Sequence, residues 1–265
     1  MAIADLGDVR LHYQERGEGP PVVGVMGFAL DQRFWAAQIP SVTQTHRFIT
    51  YDNRGVGRST GPLATSIDEL AHDALRLLDH LGIDKTVVFG VSMGGAIAQR
   101  LVLDHPERVS ALVLAVTWAR PIEFMRRQDD FAARIIESEG VDGLIEASLL
   151  RMFTPRFFEV GREIIDRLVA AFLVESGPEA TDPKVLQAQL DAIGKHDTLP
   201  ELERISCPTL VVGGHMDMMV PGFAAEEIAA AIPGAQLEMF ETGHGLMVEE
   251  MESFNEVLHA FLASL

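Results

Sequence analysis

The spacing of apolar positions along this chain changes several times, and each change marks an element. Val9 to Gln14 alternates apolar and polar residues, which predicts an antiparallel strand with one face in water. Pro21 to Met26, Arg47 to Tyr51, Thr86 to Val91 and Ser110 to Val116 are more continuously apolar, as strands covered on both faces are. Between them, Ile67 to Leu81 carries apolar residues at 67, 70, 71, 74, 75, 77, 78 and 81. That is helical spacing, with Ser66 as N-cap and Gly82 as the stop. Met93 to Leu103 predicts a second helix that ends before His105-Pro106. The rhythm resumes with a strand at Pro208 to Gly213, a helix at Phe223 to Ala231, a strand at Gln236 to Phe240 and a helix at Ser253 to Leu262. Repeated strand–helix units imply a mostly parallel sheet with right-handed crossovers.

Residues 119–200 break this rhythm. They read as helices at Phe124 to Ser138, Asp142 to Phe153, Arg156 to Val174 and Pro183 to Ile193, punctuated by Gly140, Pro155, Gly177-Pro178 and Asp182-Pro183. No strand pattern occurs among them. The expectation is an α/β core made of residues 1–118 and 201–265, with 119–200 as an all-helical lid inserted after the sixth strand of about eight. Ligands of open α/β sheets bind beyond the strand carboxyl ends, and this insertion sits at that edge.

Composition narrows the possibilities. The 265 residues are 48% hydrophobic and 23% charged, enough for one large folded core and too apolar for a disordered chain. A net charge of −18 argues against general nucleic-acid binding, which needs clustered cations. Lys85, Lys184 and Lys195 are the only lysines, and the arginines are scattered. Cys207 is the single cysteine, so no intrachain disulfide can form. The start of the chain lacks the basic-then-apolar pattern of a secretory signal, and no apolar run approaches the ~20 residues of a membrane span. The expectation is a cytoplasmic protein with no membrane association.

The sharpest chemical signal is Gly90-Val91-Ser92-Met93-Gly94, placed after a strand and before a helix. A serine on so tight a turn projects its hydroxyl into the cleft, and the glycines either side relieve the crowding. The N–H of Met93, at the helix start, can face a developing oxyanion. A serine nucleophile needs a base, and the base needs an orienting carboxylate. His244 lies between Gly243 and Gly245, just past the last strand and so at the same sheet edge. His215 also follows a strand and is its rival. Asp217 is an acid in the otherwise apolar loop after Leu210-Val211-Val212. The chain order Ser92, Asp217, His244 is the one expected on an α/β sheet.

These residues fall in four motifs: Gly90-x-Ser92-x-Gly94, Asp52-x-Arg54-Gly55-x-Gly57-x-Ser59, Gly214-x-x-Asp217-x-x-x-Pro221 and Gly243-His244-x-x-x-x-Glu249. Through them the chain resembles the α/β-hydrolase-fold superfamily over essentially its whole length. Within it, the chain is similar to small bacterial serine esterases, 3-oxoadipate enol-lactonases and perhydrolases. The resemblance implies Ser92 as nucleophile, His244 as general base and then acid, and Asp217 as the orienting acid. It implies a structural turn at Asp52 to Ser59. Where the family commonly has His-Gly after its third strand, this chain has Met26-Gly27. The second oxyanion donor is then the N–H of Phe28, beside that of Met93. The family's proline after the catalytic histidine is Met251 here.

Methionines cluster near the site in sequence. Met26, Gly27, Trp35, Met218 and Met247 are expected to line an apolar pocket, with Met216 and Phe28 close by. Arg33, Arg54, Arg120, Arg126 and Arg127 are candidates for holding a substrate carboxylate. The reading is a serine hydrolase of carboxylic esters or lactones that uses neither cofactor nor metal and takes a small molecule as its substrate, with neither nucleic acid nor membrane as a partner. The same three residues could serve C–C bond hydrolysis, amide cleavage or peracid formation. A ligand receptor with slow turnover is the rival from another class.

Overall fold

A computed structural model describes residues 2–170 and 182–265. The chain runs β1 (Ala2–Asp5), β2 (Arg10–Arg16), β3 (Pro21–Val25), α1 (Ile39–Val42), β4 (Arg47–Tyr51), α2 (Ile67–His80), β5 (Thr86–Val91), α3 (Met93–Asp104) and β6 (Val109–Ala115). The helices α4 (Glu123–Met152), α5 (Pro155–Val160), α6 (Arg162–Val169) and α7 (Pro183–Ile193) follow. The chain closes with β7 (Thr209–Gly214), α8 (Phe223–Ala231), β8 (Gln236–Phe240), α9 (Leu246–Glu249) and α10 (Met251–Ala263). Eight strands form one sheet in the order β1-β2-β4-β3-β5-β6-β7-β8. Strands β3 to β8 are parallel, and β1 and β2 are the antiparallel edge.

The unbroken apolar strands are buried on both faces, and their side chains divide by parity. Val23, Val25, Val88, Leu112, Leu114 and Val211 enter one core with α2, α3 and α8. Val22, Val87, Phe89, Val113, Leu210 and Val212 enter a second core with α10. Helix α2 starts at Ser66, whose hydroxyl accepts from the N–H of Glu69 while the Glu69 carboxylate accepts from that of Ser66.

The helical insertion follows β6, as the sequence predicts, with one difference in detail. The stretch read as one helix from Arg156 to Val174 is split at Gly161 into α5 and α6, and a Cβ at Gly161 would lie 2.6 Å from the Phe157 ring. Residues 171–174 of that predicted helix, and Gly177-Pro178, lie outside the described residues. The two helices expected on either side of Gly140 are the two arms of α4. Gly140 (φ 72°, ψ −163°) takes a conformation open essentially to glycine alone. A straight helix would separate residues 128 and 151 by about 35 Å. Instead, Arg151 Nη1 donates to Gln128 Oε1 at 2.8 Å, so the arms fold back on each other. The insertion packs its own small core, Ala132, Leu144, Leu186 and Leu190, against Phe28 and Ala29 of the loop after β3. Among the described residues, no helix is long and apolar enough to cross a membrane.

Candidate active site

Ser92 sits between β5 and α3 with φ 55° and ψ −121°, a conformation that L-residues rarely hold. The surroundings fix it there. Its N–H donates to Ala115 O at 2.9 Å, and its carbonyl accepts from Gly95 N and from Thr117 Oγ1, both at 2.8 Å. The turn closes only because its neighbours lack side chains. A Cβ on Gly94 would stand 1.9 Å from Val25 O, and one on Gly27 would stand 3.0 Å from Ser92 Cβ.

The other two parts come from the loops after β7 and β8, which the parallel pairing of those strands sets side by side. His244 Nε2 lies 3.0 Å from Ser92 Oγ, and its Nδ1 lies 2.7 Å from Asp217 Oδ2. Asp217 Oδ1 accepts from the N–H groups of Met219 and Val220 at 2.7 and 2.8 Å. The ionised carboxylate can only accept, so Nδ1 carries the proton and Nε2 is left with its lone pair toward the serine hydroxyl. The Asp217 side chain is wholly shielded from solvent. His215 turns outward, half exposed, toward Glu241 at 3.8 Å. Three residues far apart in sequence, Ser92, Asp217 and His244, thus form one hydrogen-bonded relay.

The loop carrying Met26, Gly27 and Phe28 is anchored by a residue that the sequence reading left unassigned. Asn53 Nδ2 donates to Met26 O at 2.9 Å. Asn53 belongs to the Asp52 to Ser59 turn, which Asp52 organises. Its carboxylate accepts from Gln32 N at 2.9 Å and Arg58 N at 3.2 Å, and lies 2.8 Å from His12 Nδ1. Ser59 Oγ donates back to Asp52 O at 2.7 Å. The motif around Asp52 was the signal that could have pointed to Asn53. Ala29 N donates to Gln189 Oε1 of α7 at 3.1 Å, which ties the same loop to the insertion. The N–H groups of Phe28 and Met93 donate in none of the described loop and turn hydrogen bonds.

Glu249 joins the histidine loop to the insertion. Its Oε1 accepts from Gly243 N at 3.1 Å and Thr154 N at 3.0 Å, and its Oε2 accepts from Thr154 Oγ1 at 2.6 Å. The N–H of Gly245 donates to Met152 O at 2.7 Å.

A cavity of about 130 Å³ opens on Ser92 and His244. Met26, Gly27 and Met247 line it with Phe28, and the insertion contributes Leu144, Ile145, Leu149 and Met152. Two expected lining residues lie elsewhere. Trp35 is fully buried beneath the interior strands β4, β3 and β5, its ring edge-on to Phe89 at 4.6 Å and to Phe48 at 5.4 Å. Met218 faces solvent at 56% exposure, as does Met216 at 44%, and Met219 lines the cavity instead. The candidate arginines are mostly engaged elsewhere. Arg54 grips Asp73 with two bonds in the interior, Arg120 holds Glu227, and Arg126 and Arg127 hold Glu123 at the surface. Arg33 reaches the cavity already paired with Asp31 at 2.7 Å. The cation that enters the site without an acidic partner within 4 Å among the described residues is Arg151, which the sequence reading did not single out. No group of three His, Cys, Asp or Glu side chains among the described residues is placed to hold a metal ion.

The sheet, the strained serine turn and the relay define a protein class that comparison also reaches. The model of the alpha/beta hydrolase fold family matches residues 20–250, and the chain belongs to that family. The chain is 29% identical to a protein of Azorhizobium caulinodans provisionally named carbamate hydrolase RutD, over 100% of this chain and 99% of that one. It is 30% identical to 3-oxoadipate enol-lactonase 2 of Acinetobacter baylyi, over 96% and 94% of the two chains. The crystal structure of the enol-lactonase from Burkholderia xenovorans LB400 superposes with a TM-score of 0.89 at 28% identity, covering 99% of this chain and 100% of that one.

Proposed function

We propose that the protein is a serine hydrolase that cleaves carboxylic esters or lactones of small, largely apolar substrates through an acyl-enzyme on Ser92. The observation that carries this reading is the relay from Asp217 through His244 to Ser92, with bonds of 2.7 and 3.0 Å at the mouth of an apolar cavity. His244 Nε2 takes the hydroxyl proton as Ser92 Oγ attacks the substrate carbonyl. The imidazolium so formed is stabilised by Asp217, whose second oxygen is held by two backbone N–H groups. The N–H groups of Phe28 and Met93 receive the oxyanion. His244 then protonates the leaving alcohol, and water activated by the same nitrogen releases the acid. Residues 119–200 serve as the lid that closes the cavity above Ser92. Relatives named for lactone and carbamate cleavage support hydrolysis at an acyl carbonyl.

The test is hydrolysis of p-nitrophenyl acyl esters of increasing chain length by wild type and by Ser92→Ala. The expected result is multiple turnover on short chains, lowered roughly 10⁴- to 10⁶-fold in the variant. Equal turnover by the two proteins refutes the assignment. A folded wild type that stops after one equivalent supports a receptor instead.

A further inference from the structure

The cavity adjoins a second, smaller lobe, and Ser92 lines both. Phe28, Ser92, Leu144, Ser148 and Met219 border both lobes, whereas His244 lines only the first. This asymmetry orients a substrate. His244 delivers the proton to the leaving alcohol, so the alcohol half lies in the first, apolar lobe and the acyl half points into the second.

The second lobe holds two opposite charges that do not meet. Arg151 is clamped: its Nε donates to Ala147 O at 3.2 Å and its Nη1 to Gln128 Oε1 at 2.8 Å, while Gln128 Nε2 donates to Met219 O at 3.0 Å. The guanidinium keeps further N–H groups for a ligand. Asp129 lines the same lobe, yet its carboxylate has no hydrogen-bond partner and no cation within 4 Å among the described residues. Burial, with Asp130 alongside, pushes its carboxyl up to about 7, and burial lowers Arg151. Separated charges in a partly dry site are costly unless something bridges them. The complement of such a pair is a neutral group with an acceptor on one side and a donor on the other. A carboxylate would satisfy Arg151 but meet Asp129 as a like charge.

We infer that the second lobe selects acyl groups bearing an amide, its C=O accepting from Arg151 and its N–H donating to Asp129, with Gln128 as a positioning residue for the guanidinium. This substrate class rests on the hydrolytic reading above. The test compares kcat/KM for the n-butyl esters of succinamic acid, 4-methylpentanoic acid and succinic acid, followed by butanol release at pH 8, with butyl butanoate as control. The amide and the branched hydrocarbon have the same shape, so their ratio isolates the polar contacts. Wild type should prefer the amide by at least about tenfold, because a site built around hydrogen bonds rejects an isostere that cannot make them. Arg151→Met should bring that ratio near one. Asp129→Asn should lower it and raise turnover of the monosuccinate relative to the hydrocarbon. Butyl butanoate turnover with no amide preference overturns the inference, and so does a monosuccinate faster than the amide, which would make the lobe an anion site. If butyl butanoate is not hydrolysed, the hydrolytic reading is what fails. Calorimetric titration with 4-oxopentanamide and 5-methylhexan-2-one then decides the lobe, and equal affinity for the two overturns it.

Discussion

Replacing Asp217 by asparagine tests the relay through a single atom. Asp217 Oδ1 accepts two backbone N–H groups, from Met219 and Val220, so an amide NH₂ cannot occupy that position without facing two donors. The amide oxygen must sit there, and the NH₂ then takes the place of Oδ2, 2.7 Å from His244 Nδ1. Two donors cannot share that distance. The imidazole shifts its proton to Nε2, which now presents N–H rather than a lone pair to Ser92 Oγ. The base is in place but in the wrong tautomer. The penalty expected for a triad in that state is about 10⁴ in kcat, or roughly 5 kcal/mol at 1.36 kcal/mol per factor of ten. The fold should scarcely notice, since both backbone donors keep an acceptor. Asp217→Ala is the contrast. It leaves two N–H groups and an imidazole nitrogen without a partner, at about 1–3 kcal/mol each for the unpaired groups, and so should lower Tm by several degrees as well as stop turnover. The assay is steady-state hydrolysis of p-nitrophenyl butanoate with calorimetric melting of the same samples. Asparagine activity within tenfold of wild type refutes the tautomer argument, and an asparagine variant melting as low as the alanine variant refutes the hydrogen-bond assignment at Oδ1.

Asn53→Ala removes the tether on Met26 O, and should lower kcat by about ten- to a hundredfold with little change in KM, because a loosened donor loop weakens binding of the transition state more than of the ester. Gly94→Ala places a methyl 1.9 Å from Val25 O, where neither backbone can yield, and should give insoluble protein or a Tm more than about 10 °C lower in a melting scan. His196 is buried beside Trp118, and burial lowers its pKa to about 4 from an unfolded value of 6.5. The folded state therefore binds its proton less readily, so the stability it contributes is complete above pH 6.5 and drains away as pH falls toward 4. Urea melts of His196→Gln should show a flatter dependence over that window, and an unchanged slope would refute the assignment. Asp129 is shifted up, so it burdens the fold increasingly from pH 3.8 to about 7, and Asp129→Asn should raise Tm at pH 8 more than at pH 4.

Much of this architecture was legible because burial on both faces writes a plain signature. Strands β3, β5, β6 and β7 are nearly unbroken apolar runs, and each motif residue falls at a strand end where parallel pairing gathers it. Strand β1 was not legible: four residues with one buried side chain carry too little pattern to register. Position relative to a strand end also says nothing about which way a side chain turns. Trp35 lies on a short 3₁₀ turn that drives its indole under the sheet, and at Met218 and Met219 one residue separates solvent from cavity. Arg151 and Asp129 were beyond sequence reasoning for a different reason. They lie 22 positions apart and reach the same lobe only because Gly140 reverses the path of α4, a tertiary fact that periodicity does not contain.

The grip of Glu249 on Thr154 and Gly243 has a consequence for how this scaffold can be diversified. One carboxylate staples the insertion to the very loop that carries His244, so the two segments cannot be exchanged independently. A chimaera that imports a foreign helical module must also import a hydroxyl and a backbone N–H at the position of Thr154, or Glu249 is left half-coordinated against a buried loop and the imidazole loses its registry. Modules grafted with Thr154 retained should inherit the relay intact and bring only their own pocket walls. The staple thus divides the molecule into a part that can be swapped to change the substrate and a junction that must be transmitted whole.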